Sequence, residues 1–275
     1  MPVIDRVLSD NNLGNFQKDF INIVKQVNNS KGELDLSLRK EKVNIYYQGN
    51  SLALIGFQRN KTYTVTINRK FIKDTEIESI KDFMPSKSSK TYILKSKDEV
   101  RQFFQTKHIS QICQKIRSVH YREELKYEQE IMTDNLNRVD LIIIDRQVSD
   151  KEHDRKKIDL LALQQIEYNK YQFIVIEVKL GKNRELKEEV ASQLKNYIDH
   201  IDNHFDDYKM CYEKQFEQKR KLGLLKIPNI NKLIIEKPVK GIIVVVGYSG
   251  IGKENITNLL KKYPYLQIKP FERLI

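Results

Sequence analysis

An α/β architecture is expected for this chain: a mixed sheet flanked by helices, preceded by a small N-terminal α+β module. Three observations lead there. Short runs of β-branched and aromatic residues with turn clusters between them fill positions 34–67, a continuous apolar strand occupies 171–178, and apolar residues at helical spacing lie on both sides of that strand. The 275 residues suffice for one large domain or two smaller ones. A chain of this size buries roughly 70–75% of its unfolded surface and needs no disulfides to be stable. Its two cysteines, Cys113 and Cys211, form no spaced framework, and no apolar leader opens the sequence, so a reducing, cytoplasmic setting is expected. No apolar run approaches the roughly eighteen residues of a membrane span, which excludes a membrane-spanning role.

In chain order, Phe16, Phe20, Ile23, Val24 and Val27 recur at helical spacing and predict an amphipathic helix that ends in the turn cluster 28–32. The runs 34–38, 43–47, 52–57 and 63–67 are rich in β-branched and aromatic residues and separated by turns, and the alternation of apolar and polar residues in 34–38 and 63–67 predicts an antiparallel meander. Met-Pro-Ser-Lys-Ser-Ser at 84–89 reads as a linker, which divides a basic module at 1–88 from a second domain at 89–275. Beyond it, Val100, Phe103, Phe104, Ile112, Ile116, Val119 and Leu125 predict one long helix or two in tandem over about 97–132. Strands are expected at 139–144 and 158–163 around a charged loop. Phe-Ile-Val-Ile-Glu-Val lacks alternation and fits a strand covered on both faces. Helices at 185–204 and 213–221, a buried strand at 240–246 and a short terminal helix complete the order.

The net charge of +12, from 49 Lys plus Arg against 37 Asp plus Glu, admits an anionic partner such as nucleic acid. Its distribution is uneven. Positions 36–73 hold Arg39, Lys40, Lys42, Arg59, Lys61, Arg69, Lys70 and Lys73 against Glu41 alone, and 209–240 holds nine basic residues against Glu213, Glu217 and Glu236. In the first stretch Tyr46 and Tyr47 are adjacent. Alternation turns one of them inward and leaves the other a candidate for stacking on bases.

The anomaly in the apolar strand is Glu177, because a carboxylate there loses several kcal/mol of solvation, roughly, unless a cation compensates it. The period of two puts Glu177 and Lys179 on one face. Asp159 opens the preceding strand, and a hairpin turning near 167–170 would carry it opposite Glu177. Two carboxylates can hold Mg²⁺, which acidifies a bound water, while a lysine offsets charge developing on a phosphorane. Hydrolysis of a phosphodiester is the chemistry that this trio suits.

Asp159 followed by Glu177-Val178-Lys179 resembles the metal site of the PD-(D/E)XK nuclease superfamily, with Ile158 where the family pattern has proline. The following Gln193-Leu-Lys-Asn-Tyr197 looks like the Gln-x-x-x-Tyr element of its RecB-like branch, with the two residues on one helical face. The resemblance covers about forty residues. It implies a restriction-endonuclease-like mixed sheet, a Mg²⁺-dependent endonuclease activity in which Mn²⁺ substitutes, and DNA as partner with RNA not excluded. It also implies metal binding by Asp159 and Glu177, water positioning by Lys179, and Gln193 and Tyr197 on the DNA backbone or bracing the lysine. Defence against foreign DNA or DNA repair is the implied setting, and a homodimer follows by analogy. The family often adds an acid from a preceding helix, for which Glu124, Glu128 and Glu130 are candidates. Asp140 competes with Asp159 but lies one strand further back. A second reading keeps the fold and binds nucleic acid without cleavage.

Two other motifs are set aside. Gly247-Tyr-Ser-Gly-Ile-Gly-Lys253 has phosphate-loop spacing, but Glu254 replaces the Ser or Thr that would meet Mg²⁺, so the glycines are read as a strand-to-helix turn. His200 and His204 have the i, i+4 spacing of zinc ligands without a matching Cys or His pair beyond Cys211.

Overall fold

The computed structural model describes residues 2–80, 82–119, 123–152, 157–187, 189–228, 230, 232–247 and 249–271. Its elements in chain order are α1 (Asp10–Asp19), α2 (Ile21–Asn29), β1 (Leu34–Arg39), β2 (Lys42–Tyr47), β3 (Asn50–Phe57), β4 (Tyr63–Asn68), α3 (Arg69–Ile72), β5 (Phe83–Pro85), β6 (Ser89–Leu94), α4 (Lys97–Phe103), α5 (Thr106–Ser118), α6 (Glu123–Asp134), β7 (Leu141–Val148), β8 (Ile158–Glu167), β9 (Lys170–Leu180), α7 (Glu189–Asn203), α8 (Phe205–Lys221), β10 (Ile234–Ile235), β11 (Lys240–Val246), α9 (Gly250–Lys262) and β12 (Gln267–Pro270). They form two units. The N-terminal unit comprises Asp5–Leu125 and Glu217–Lys226, and the C-terminal unit comprises Met1–Ile4, Lys126–Phe216 and Ile227–Ile275.

In the N-terminal unit an antiparallel sheet runs in the order β1-β2-β3-β4-β6-β5. Its first four strands are the expected meander. The Met-Pro-Ser-Lys-Ser-Ser segment is not a linker: it supplies edge strand β5 and a tight turn, in which the Ser86 amide donates to the Ser89 carbonyl at 3.0 Å. Proline suits that edge because no neighbour needs its missing N–H. β6 then pairs with β4 from Asn68–Ser89 to Tyr63–Leu94. The division at position 88 is therefore corrected to Leu125, since residues 89–125 complete the first sheet and its helices. The expected helix at 16–27 is two helices broken at Phe20, whose ring stacks on Phe16 and meets Tyr63 and Phe104 edge-on. Likewise 97–132 holds three helices rather than one or two.

Tyr46 and Tyr47 are both buried, at 7% and 2% exposure, so neither is available for base stacking. A register shift between Ile45 and Tyr46 breaks the alternation that would have exposed one of them. Arg39 and Arg117 cover the two rings, with guanidinium carbons 5.8 and 5.3 Å from the centroids.

In the C-terminal unit the sheet order is β12-β11-β9-β8-β7, with β10 flanking the start of β9. β7, β8 and β9 are antiparallel neighbours, whereas β9, β11 and β12 run parallel, so the sheet is mixed as expected. β12 and the early start of α8 at Phe205 were not foreseen. Both faces of β9 are covered. Ile174, Ile176 and Val178 join Ile131 of α6, and Phe173 on the opposite face meets Phe205, Tyr208 and Tyr212 of α8 edge-on. Gly241 of β11 allows α7 close approach, because a Cβ there would lie 2.9 Å from Leu194 Cγ and 2.7 Å from Ile198 Cδ1.

Candidate active site

Adjacent antiparallel strands bring the trio together. Leu160 pairs with Ile176, and the next step of the ladder takes Asp159 to the Glu177 end of β9. There the Val178 amide donates to Asp159 Oδ2 at 2.9 Å, which fixes the carboxylate against the neighbouring strand. Glu177 and Lys179 share a face, and Lys179 Nζ lies 2.8 Å from Glu177 Oε1 and 2.7 Å from Glu185 Oε2. Glu185, in the turn after β9, was not anticipated. Only the folded chain carries it back over the strand end.

The electrostatics follow from this crowding. Glu177 is 1% and Lys179 is 7% exposed. Burial, then the charges of Glu177 and Glu128, push the Asp159 carboxyl well above the usual carboxylate range, against the opposing pull of the Val178 amide and Lys179. Burial works against the charged form of Lys179, but the pairs with Glu177 and Glu185 and the charge of Asp159 outweigh it and raise the ammonium's pKa. The lysine therefore stays protonated and acts as a charge and hydrogen-bond donor rather than a base.

Of the helix-borne acids, Glu128 is the one whose charge reaches Asp159. Its Oε2 accepts from Arg146 at 3.0 Å and its Oε1 from Gln147 at 2.9 Å, and Arg146 also donates to Gln129 at 2.7 Å. Arg146 is fully buried; sequence patterning offered no sign of it, because it sits in β7 next to a bulge at 143–145. Glu124 lies one turn before Glu128 and belongs to the N-terminal unit. Glu130, two residues beyond Glu128, points away from it by the helical period. Asp140 is at the other end of the hairpin: its carbonyl accepts from the Gln165 amide, about 20 Å along β8 from Asp159 at ~3.3 Å per residue.

Gln193 and Tyr197 face the start of β8. Gln193 Nε2 donates to Tyr197 Oη at 3.2 Å, and Tyr197 Oη donates to the Lys157 carbonyl at 3.1 Å, two residues before Asp159. At 2% exposure Tyr197 has no surface to offer a DNA backbone, so it braces the strand that presents Asp159. Its hydroxyl is pushed up to about 12 by burial foremost, with Glu177 and Asp159 adding to the rise and Gln193 opposing it.

The glycine-rich turn has a packing explanation. Gly247 has φ of +61°, Ser249 caps α9 by accepting from Gly252 N, and a Cβ at Gly252 would lie 3.1 Å from Gly181 Cα. The glycines let α9 close onto the end of β9, and Tyr248 lies outside the described residues. No protein-family model, curated protein or solved structure matches the chain.

Proposed function

We propose that the chain is a metal-dependent nuclease that hydrolyses DNA phosphodiester bonds, with a restriction-endonuclease-like C-terminal unit. The observation that carries this reading is the convergence of Asp159, Glu177 and Lys179 at the ends of adjacent antiparallel strands, with a brace from α7 behind them. The donor set fits Mg²⁺ or Mn²⁺: hard carboxylate oxygens from Asp159 and Glu177 on adjacent strands, with burial first and then the charges of Glu177 and Glu128 disfavouring an uncompensated anion at Asp159. Asp159 and Glu177 would hold the cation, which when bound supplies Lewis acidity and an acidified water. The Val178 amide keeps Asp159 oriented toward that position. Lys179 stays cationic and donates hydrogen bonds to oxygens on which charge develops as water adds to phosphorus and one P–O ester bond breaks. The basic N-terminal unit holds the phosphodiester backbone.

Incubation of the purified chain with plasmid, linear single-stranded DNA and RNA, in Mg²⁺ or EDTA, tests the activity and its substrate. Cleavage of DNA in Mg²⁺ alone is expected. Glu177→Gln and Lys179→Gln should each lower the rate by at least about 10²–10³-fold, as removal of a transition-state donor does. DNA affinity in EDTA should stay within about twofold, since it rests on dispersed phosphate contacts. Full cleavage by both variants would overturn the assignment.

A further inference from the structure

His200 and His204 stand one turn apart on α7, with ring centroids 4.8 Å apart. The i, i+4 pair gains a third partner that no sequence pattern connected to it. Glu152, in the segment after β7, brings Oε2 to 3.1 Å from His204 Nε2. One ligand atom each from Glu152, His200 and His204 lie within 4.8 Å of one another.

The surroundings are those of a built site rather than a surface accident. Asp150, whose side chain is fully buried, lies 2.6 Å from His200 Nε2 and accepts from Tyr208 Oη at 2.7 Å. A carboxylate on one imidazole nitrogen fixes the ring's tautomer and orientation and leaves the other nitrogen as a lone-pair donor. Exposure grades across the trio, with His200 buried, His204 half-buried and Glu152 open to solvent, so an ion can enter from one side. Two imidazoles and one carboxylate are a donor set for zinc and its first-row neighbours, not for Mg²⁺, which takes oxygen ligands.

We infer that Glu152, His200 and His204 form a second metal site, for Zn²⁺ or a similar transition-metal ion, oriented by Asp150 and Tyr208. Three protein ligands leave the fourth tetrahedral position to water. The site clasps the β7–β8 connection to α7. The same helix α7 carries the Tyr197 brace on the start of β8. The inference stands on its own residues and does not require the nuclease reading.

The test is Zn²⁺ titration of the full chain against a chromogenic chelator, in excess Mg²⁺ so that the all-oxygen site does not compete. Wild type should bind about one equivalent and gain thermal stability on binding. Glu152→Gln and His204→Gln remove solvent-facing ligands and should keep the fold, checked by circular dichroism. Each should weaken Zn²⁺ by at least about tenfold, the lower bound seen even for outer-shell changes. Asp159→Asn should bind Zn²⁺ as wild type does. No stoichiometric binding by wild type, wild-type affinity in both ligand variants, or loss of Zn²⁺ binding in Asp159→Asn would each overturn the inference.

Discussion

Asp159 sits where two demands conflict: the Val178 amide favours its charged form, while burial and the charges of Glu177 and Glu128 oppose it. Its folded pKa lies above the unfolded value of about 3.9, so the metal-free fold binds this proton more tightly than the unfolded chain. The stabilisation is complete below about pH 4 and is lost as pH rises through the raised value. Asp159→Asn keeps an oxygen for the Val178 amide and removes the charge. In EDTA its Tm should match wild type near pH 4 and exceed it increasingly toward pH 8, by about 2–4 °C for each kcal/mol of relieved burial penalty and repulsion. Melting curves across that range check this, and a difference independent of pH would refute the electrostatic account. The trio was legible in sequence because a carboxylate inside an apolar strand breaks a local rule. Arg146, Asp150 and Glu152 were not, because a bulged strand and a charged loop have no periodicity to violate, and their partners lie 17 to 58 positions away along the chain.

At the scale of elements, the site depends on α7 gripping the start of β8. Tyr197→Phe deletes the donor to the Lys157 carbonyl and the acceptor for Gln193 while preserving the ring, at a cost of about 0.5–1.5 kcal/mol. Tyr197 is 2% exposed, so under the proposed nuclease function it positions Asp159 without meeting substrate: the variant should lower kcat severalfold, raise the Mg²⁺ concentration needed for half-maximal rate, and leave KM for DNA nearly unchanged. Steady-state kinetics at varied Mg²⁺ separate these effects; a rise in KM alone would mean that the tyrosine meets substrate. The helical spacing of Gln193 and Tyr197 was readable, yet their role was not, since period reveals a shared face and not what that face meets. Boundaries failed for a related reason. A Pro-Ser-Lys-Ser-Ser run has linker composition, and only the pairing of β5 with β6 reveals a hairpin turn.

Over the whole molecule, charge and chemistry divide between the two units. The N-terminal unit carries +8 over Asp5–Leu125 and +3 over Glu217–Lys226, so +11 of the net +12, and the unit that holds the trio carries only +1. Under the proposed nuclease function, a near-neutral catalytic unit can gather carboxylates around a cation, and a separate basic unit can hold phosphates without competing for them. Within the basic unit the sheet register concentrates cations at one end. Arg39 pairs with Lys42, Lys42 with Gly56, and Phe57 with Tyr63, so the β1–β2 turn and the β3–β4 connection project from the same end with Lys40, Lys42, Arg59 and Lys61 all exposed. Replacing these four by Gln leaves the buried face of the meander intact. If each meets a phosphate, DNA affinity at low salt should fall steeply, and the slope of log K against log salt should shrink by about 0.9 per contact on duplex, or about 4 in all. Cleavage at saturating DNA should persist, because the trio lies in the other unit. Binding isotherms of the catalytically silent Glu177→Gln background between about 50 and 200 mM salt give the slope directly. A slope equal to that of the parent would place the substrate path elsewhere on the molecule and leave the excess charge of this sheet end to another anionic partner.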